Sequence, residues 1–199
     1  MTAPFWIENV AAYARHAAGS VVGASGARAP ASLVLEGTRK GLRVETLNLE
    51  QIGAHAEAWA ALAERALEPN AFFEPGFALA LARHRSVKAR PRFAAVWRDG
   101  ERRNLVGLFP LATTVHGLAR IWLDEQTPLA APLVDRHCPD AALRAFLAHV
   151  QGSERAAGLV FPRLTQNGAT LRAMLAAARE TGRDVETLSA FERAALFAG

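Results

Sequence analysis

From Leu42 onward the hydrophobic pattern resolves into alternating strands and helices. Leu42, Val44 and Thr46 alternate with Arg43, Glu45 and Leu47 at the two-residue period of a strand. Asn48 then faces Gln51 at capping-box spacing, and Ile52, Trp59, Leu62, Ala63, Ala66 and Leu67 recur at helical spacing until Pro69-Asn70. Glu74-Pro75-Gly76 opens a second helix through Phe77, Leu79, Ala80 and Leu81, which closes in the basic tract His84 to Arg92. Phe93 to Trp97 and residues 104 to 115 flank the turn dipeptide Asp99-Gly100, so the pattern predicts an antiparallel hairpin. Leu105 to Leu111 is apolar almost throughout and is expected at the centre of a sheet, with Pro110 marking a bulge or an edge.

His116-Gly117 turns the chain into an antiparallel fourth strand, Ala119 to Leu123. Leu143, Phe146, Leu147 and Val150 define a third helix with Pro139 at its first position. Gly158 to Phe161 reads as a strand, Asn167 as the cap of a helix through Leu171, Met174, Leu175 and Ala178, and Val185, Thr187 and Leu188 as a last strand. The predicted order is β-α-α-β-β-β-α-β-α-β, an α/β layer on a mixed, mostly antiparallel sheet flanked by helices. Ahead of it, Phe5, Trp6, Val10 and Tyr13 fall on one stripe of a short helix, and Gly19 to Ser32 has linker composition. Residues 1–40 therefore read as an extension and linker, and 41–199 as a single domain.

Composition narrows the function classes. A chain of 199 residues with 51% hydrophobic side chains buries roughly 70% of its unfolded surface and needs neither disulfides nor a structural metal for a core. One cysteine, Cys138, forms no internal disulfide, and the six histidines show no metal-ligand spacing, so the expectation is a reduced, cytoplasmic protein without a metal. The basic residues are 21 arginines and two lysines against 19 acids, a net +4 too dilute to imply nucleic acid. There is no apolar run of about 18 residues to span a membrane and no basic region ahead of the first apolar stretch to mark a signal peptide.

Several strings carry a family likeness. Trp59-x-x-Leu62, Glu68-Pro69-Asn70-Ala71-Phe72-Phe73-Glu74-Pro75, Val106 to Leu111, Trp122 to Val134 and the closing Phe191 to Leu196 resemble the N-terminal half of FemAB-like acyltransferases of the GNAT superfamily, in the branch associated with cellulose biosynthesis. The element order is similar to that of the GNAT fold. The resemblance spans about residues 42 to 197 and implies two GNAT units in tandem, of which this chain would supply the first. It implies an N-acyltransferase moving an acyl group from acetyl-CoA or another acyl-CoA to an amine, such as a small molecule or glycan precursor. The alternative is a non-catalytic GNAT-fold module that pairs with a second unit, a partner or another copy of itself.

That chemistry needs a cradle of backbone N–H groups for pyrophosphate, a base for the amine and an acid for the thiolate. The interval corresponding to the family's pyrophosphate loop is Ala130 to Asp140, where Val134, Arg136 and His137 are the coenzyme-contact candidates. It departs from the family's glycine-rich pattern in having no glycine, and Pro132 and Pro139 remove two donors. Asp124 and Glu125, just after the fourth strand, are the candidate bases, with a solvated loop pair as the alternative. The family's acid is often a tyrosine near the last helix, whereas the single tyrosine here is Tyr13. Phe72, Phe73 and Trp122 line an acceptor groove or pack in the core. Arg163, Gln166 and Asn167 cluster before the last helix, where they bind a carboxylate or phosphate unless Asn167 is simply its cap. Cys138 reads as structural, and the basic tract as a solvated helix end or an anion contact.

Overall fold

The computed structural model describes residues 5–13, 41–85, 90–98, 100–112, 118–154, 156 and 158–192. The linker Gly19 to Ser32, the turn His116-Gly117, Asp99, the stretch Ser86 to Ala89 and the tail of the closing string lie outside them. The elements in chain order are β1 (Phe5–Tyr13), β2 (Arg43–Leu47), α1 (Leu49–Gly53), α2 (Ala56–Glu64), a 3₁₀ turn (Ala71–Phe73), α3 (Pro75–Arg83), β3 (Arg92–Trp97), β4 (Leu105–Leu111) and β5 (Leu118–Arg120). After them come β6 (Leu133–Val134), α4 (Pro139–Gly152), β7 (Gly158–Phe161), β8 (Leu164–Thr165), α5 (Ala169–Glu180) and β9 (Asp184–Glu192). The protein is mixed α/β, with mostly antiparallel sheets flanked by helices. No helix among the described residues is long and apolar enough to cross a membrane.

Two sheets meet at β4. One runs β2-β3-β4-β6, all antiparallel; the other places β5 parallel to β7, with β7 and β8 along one side of β1 and β9 along the other. Along the edge of β4 away from β3, Gly107 and Leu108 pair with β6, whereas Leu111 bridges Ile121 directly after β5. That edge thus changes partner between Leu108 and Leu111. Pro110 occupies the junction: its carbonyl accepts from the Trp122 N–H at 2.8 Å, and it has no N–H of its own for the gap to strand. The expected bulge lies elsewhere, at Val96/Trp97, while Phe93 and Pro110 pair without a shift.

Other expectations change through tertiary contacts. Residues 5–13 form strand β1 rather than a helix, because β7, β8 and β9 offer backbone pairing on both of its edges. The run is apolar apart from Glu8 and Asn9, so side-chain period alone does not separate strand from helix. The capping box is present, with Gln51 N–H donating to Asn48 Oδ1 and Asn48 N–H to Gln51 Oε1, each at 2.8 Å. The helix it starts stops at Gly53, and a second begins at Ala56. His55, at the break, packs edge-on against Trp97 at 5.1 Å.

The core is built on β3 and β4. Trp59 of α2 lies against Phe93 and donates its Nε1–H to the Phe73 carbonyl at 2.7 Å. Phe146 of α4 stacks on Phe109 of β4 at 3.7 Å and meets Phe161 of β7 edge-on, so one helix residue touches both sheets. Gly107 is required at this crowding, because a Cβ there would stand 2.9 Å from the Phe109 ring and 3.1 Å from Val96.

A polar network crosses the same layer. Thr46 Oγ1 donates to Glu154 Oε1 at 2.9 Å and lies 2.8 Å from His149 Nε2, which makes that nitrogen the donor of its pair. Arg92 grips both Glu154 oxygens, at 2.7 and 3.3 Å. Burial holds His149 below its ordinary value against the pull of Glu154, with Arg92 adding to the depression. Burial works to raise Glu154, but the hydrogen bonds from Arg92 and Thr46 outweigh it and hold the carboxyl low.

Gly107→Ala is expected to cost about 1–3 kcal/mol, read as a lower urea midpoint at unchanged slope. Both His149 and Glu154 bind protons less readily folded than unfolded, so their contribution to stability is present at neutral pH and disappears on acidification. The melting temperature should fall in two stages, the first as pH drops below about 6.5 with His149 and the second below about 4 with Glu154. His149→Gln, which keeps a donor for Thr46, should abolish the first stage and leave the second.

Candidate functional site

The segment between β5 and β6 leaves the sheet yet stays largely buried, and its backbone is served by side chains from elsewhere. Asn70, 3% exposed, donates through Nδ2 to the carbonyls of Ala131 (2.7 Å) and Leu129 (3.3 Å) and accepts the Phe72 N–H through Oδ1 at 3.1 Å. Arg163, at a left-handed φ of 49°, interrupts β7 and β8; its carbonyl accepts the Ala130 N–H and its guanidinium donates to Thr127 O, both at 3.4 Å. Leu67 N–H donates to Val134 O at 2.6 Å. The string Glu68 to Phe73 is thereby the bracket that holds this loop.

The candidate coenzyme residues are placed apart. Val134 lies buried in β6, opposite Gly107. Arg136 turns back on α2, donating to Glu64 O at 2.8 Å and Arg65 O at 3.1 Å. His137 is exposed, and its N–H is bound by Asp135 Oδ1 at 2.9 Å. Four successive backbone donors are used inside the protein: Asp135 N–H to Val106 O, Arg136 N–H to Arg65 O, His137 N–H to Asp135 Oδ1 and Cys138 N–H to Asp135 O. Pro139 follows at the first position of α4 and contributes none. Asp135 itself is buried and paired with Arg65 Nε at 2.8 Å. Burial acts to raise its pKa, yet the His137 N–H and Arg65 together keep it below the ordinary carboxylate range. An anion already sits where a pyrophosphate would need neutral donors, so the residues present do not fit a coenzyme A cradle.

The cluster before α5 also differs from expectation. Gly168, not Asn167, is the N-cap residue, and Asn167 offers its carbonyl to Arg172 instead. The terminus is capped from a distance: the Glu68 carboxylate accepts the Thr170 N–H at 3.1 Å and fills the space a Cβ at Gly168 would need, 2.6 Å away. Gln166 and Asn167 are exposed, while Arg163 serves the loop. Phe73 and Trp122 are core residues; Phe72 is half-buried. Cys138 is half-buried at the N-cap of α4, its Sγ accepting from Arg98 at 2.9 Å.

One pair of expectations converges. After β5, Asp124 and Thr127 close a tight turn, with Asp124 N–H to Thr127 Oγ1 and the hydroxyl back to Asp124 O, each 2.8 Å. The Asp124 side chain is ion-paired with Arg85 and accepts the Gln126 N–H at 3.1 Å. Partial burial pushes its pKa up, but Arg85 and the Gln126 N–H outweigh it and hold the carboxyl low, which makes it a weak proton acceptor. Glu125 is exposed beside it. Arg85 and Gln126 form one end of a cleft of about 380 Å³ whose wall is Phe77, Ala80, Leu81 and His84 of α3 and its end. Phe77 braces edge-on against Phe72 at 5.4 Å. Arg90 donates to the carbonyls of Arg83 and Arg85, so part of the basic tract closes the helix end as its charge suggested.

Arg65, Asn70 and Glu68, whose long-range partners lie between 39 and 102 residues away, carried no site signal in the sequence, and neither did Phe77; His84, which shares a helix face with it at i and i+7, belongs to the basic tract expected as a helix end or an anion contact. No family model matches the chain, and no curated protein or solved structure matches it.

Asp135→Ala should lower stability by about 2–4 kcal/mol, because it strands the Arg65 guanidinium and the His137 N–H, whereas His137→Ala should change it by less than about 0.5 kcal/mol. Urea unfolding of the two variants checks this, and equal effects would contradict the assigned division of roles.

Proposed function

We propose that this chain is a non-catalytic binding module with a GNAT-like arrangement, of the FemAB-like kind, whose ligand contact is the cleft beside Arg85 and not a coenzyme loop. The observation that carries this reading is the run from Asp135 to Cys138, where every backbone N–H has a protein acceptor, followed by a proline. Thioester chemistry at this position would have to break that run and displace Asp135 from Arg65. The candidate base supports the same reading, because Asp124 is committed to Arg85. A partner or second unit is compatible with β9, which pairs on one side only among the described residues and carries Leu188 at 47% exposure.

Calorimetric titration of the purified chain with acetyl-CoA, with thermal shift in parallel, tests the proposal. No heat and no shift at millimolar coenzyme are expected. Saturable micromolar binding would overturn it and restore the acyltransferase reading, and Asp124→Asn and Glu125→Gln would then be assayed for lost transfer to an amine.

A further inference from the structure

We infer that the α3 cleft takes a small amphipathic monoanion, a single carboxylate head on an apolar body. The inference rests on the proposal that the cleft is a binding site and names the class of its ligand. Its volume of about 380 Å³ lies at the small end of the range for ligand sites. Phe77, Ala80, Leu81 and His84 stand at i, i+3, i+4 and i+7, so one face of α3 and its end presents an apolar wall that finishes in an imidazole. Phe77 is 38% exposed, an unusual state for a phenylalanine, and Phe72 holds its ring in place.

The polar end decides the sign of the ligand. Arg85 keeps 37% of its side chain exposed, while its partner Asp124 is only 8% exposed. The guanidinium therefore faces the cleft and the carboxylate lies behind it. Both Asp124 oxygens are occupied, one by Arg85 and the other by the Gln126 N–H. Among the described residues no carboxylate lines the cleft, so an ammonium group entering it meets no acceptor of opposite charge from them. A carboxylate meets the remaining guanidinium donors, the His84 ring and the Gln126 amide. Asp124 balances the formal charge of Arg85 and fixes its plane, so the head meets directed donors without a net positive charge, which suits a singly charged head and leaves a dianion under-compensated. The apolar body then lies along Leu81, Ala80 and Phe77.

The test titrates the full chain by calorimetry with three eight-carbon probes, octanoate, octylamine and 1-octanol, and with acetyl-CoA in the same series. Octanoate should bind saturably, and the amine and alcohol roughly tenfold or more weakly. Ala80→Trp, at an exposed helix position, should fill the cleft and abolish octanoate binding with the melting temperature held. The pair Arg85→Gln with Asp124→Asn, which removes both charges together, should weaken octanoate by roughly tenfold and leave 1-octanol unchanged. Octylamine binding as tightly as octanoate would overturn the carboxylate assignment while leaving the cleft a binding site. Octanoate binding untouched by Ala80→Trp would place the ligand elsewhere and overturn the inference. Silence from all three probes would also overturn it, and with acetyl-CoA silent too the non-catalytic reading would stand. Heat from acetyl-CoA would instead remove that reading, whatever octanoate does.

Discussion

A strand with two partners on one edge forces the chain between those partners out of the sheet, and that constraint governs this protein. The edge of β4 passes from β6 to β5 at Pro110, so residues 122–132 cross the protein without a ladder, with Ala130 to Val134 fully buried behind them. Buried backbone without a partner is costly, about 1–3 kcal/mol per group. Asn70, Arg163 and Thr127 serve the carbonyls and amides of this crossing, and Asp135 with Arg65 closes its far end. The proline is part of the same solution, because the junction is the place where a missing N–H does least harm.

The solution has a chemical consequence. Donors spent on holding a loop are not available to a ligand, and the run Asp135 to Cys138 spends all of its own. The buried Asp135 supplies two of the acceptors, one through its carboxylate and one through its main-chain carbonyl, so the loop also carries the wrong charge for phosphate. The same logic operates at α5, whose N-terminal donors receive Glu68 in the place of an external anion. In both places an anion-binding feature of helical proteins has been turned inward and made structural. The cleft on α3 is the contrasting case: there the carboxylate is the buried partner and the cation is the exposed one.

Charge burial also sets the conditions under which the fold persists. Thr46, Arg92, His149 and Glu154 come from β2, β3 and the end of α4, so one network joins the four-stranded sheet to the helix that also packs on the second sheet. Each carboxylate in these networks is held ionised by an arginine, and His149 is held neutral by burial. The arginine-rich composition, which by itself named no function, is spent largely on such internal pairs and on carbonyls at helix ends.

What the sequence determined by itself is local. The capping box at Asn48, proline at the head of α4, the hairpin of β3 and β4 and the buried run of β4 follow from side-chain period and from φ restriction, which act over a few residues. Strand or helix at Phe5–Tyr13 was not so determined, because its nearly continuous apolar run marks neither period and the choice rests on strands more than 140 residues away. The site shows the same division. Asp124 and the basic tract were legible as charges, but which charge faces the cleft depends on how Arg85 lies over Asp124. The capacity of Asp135 to Cys138 for phosphate was likewise decided by acceptors on Val106, Arg65 and Asp135 that only the folded chain brings to those amides. Period and propensity are properties of neighbouring residues, whereas hydrogen-bond satisfaction and exposure belong to the packed whole.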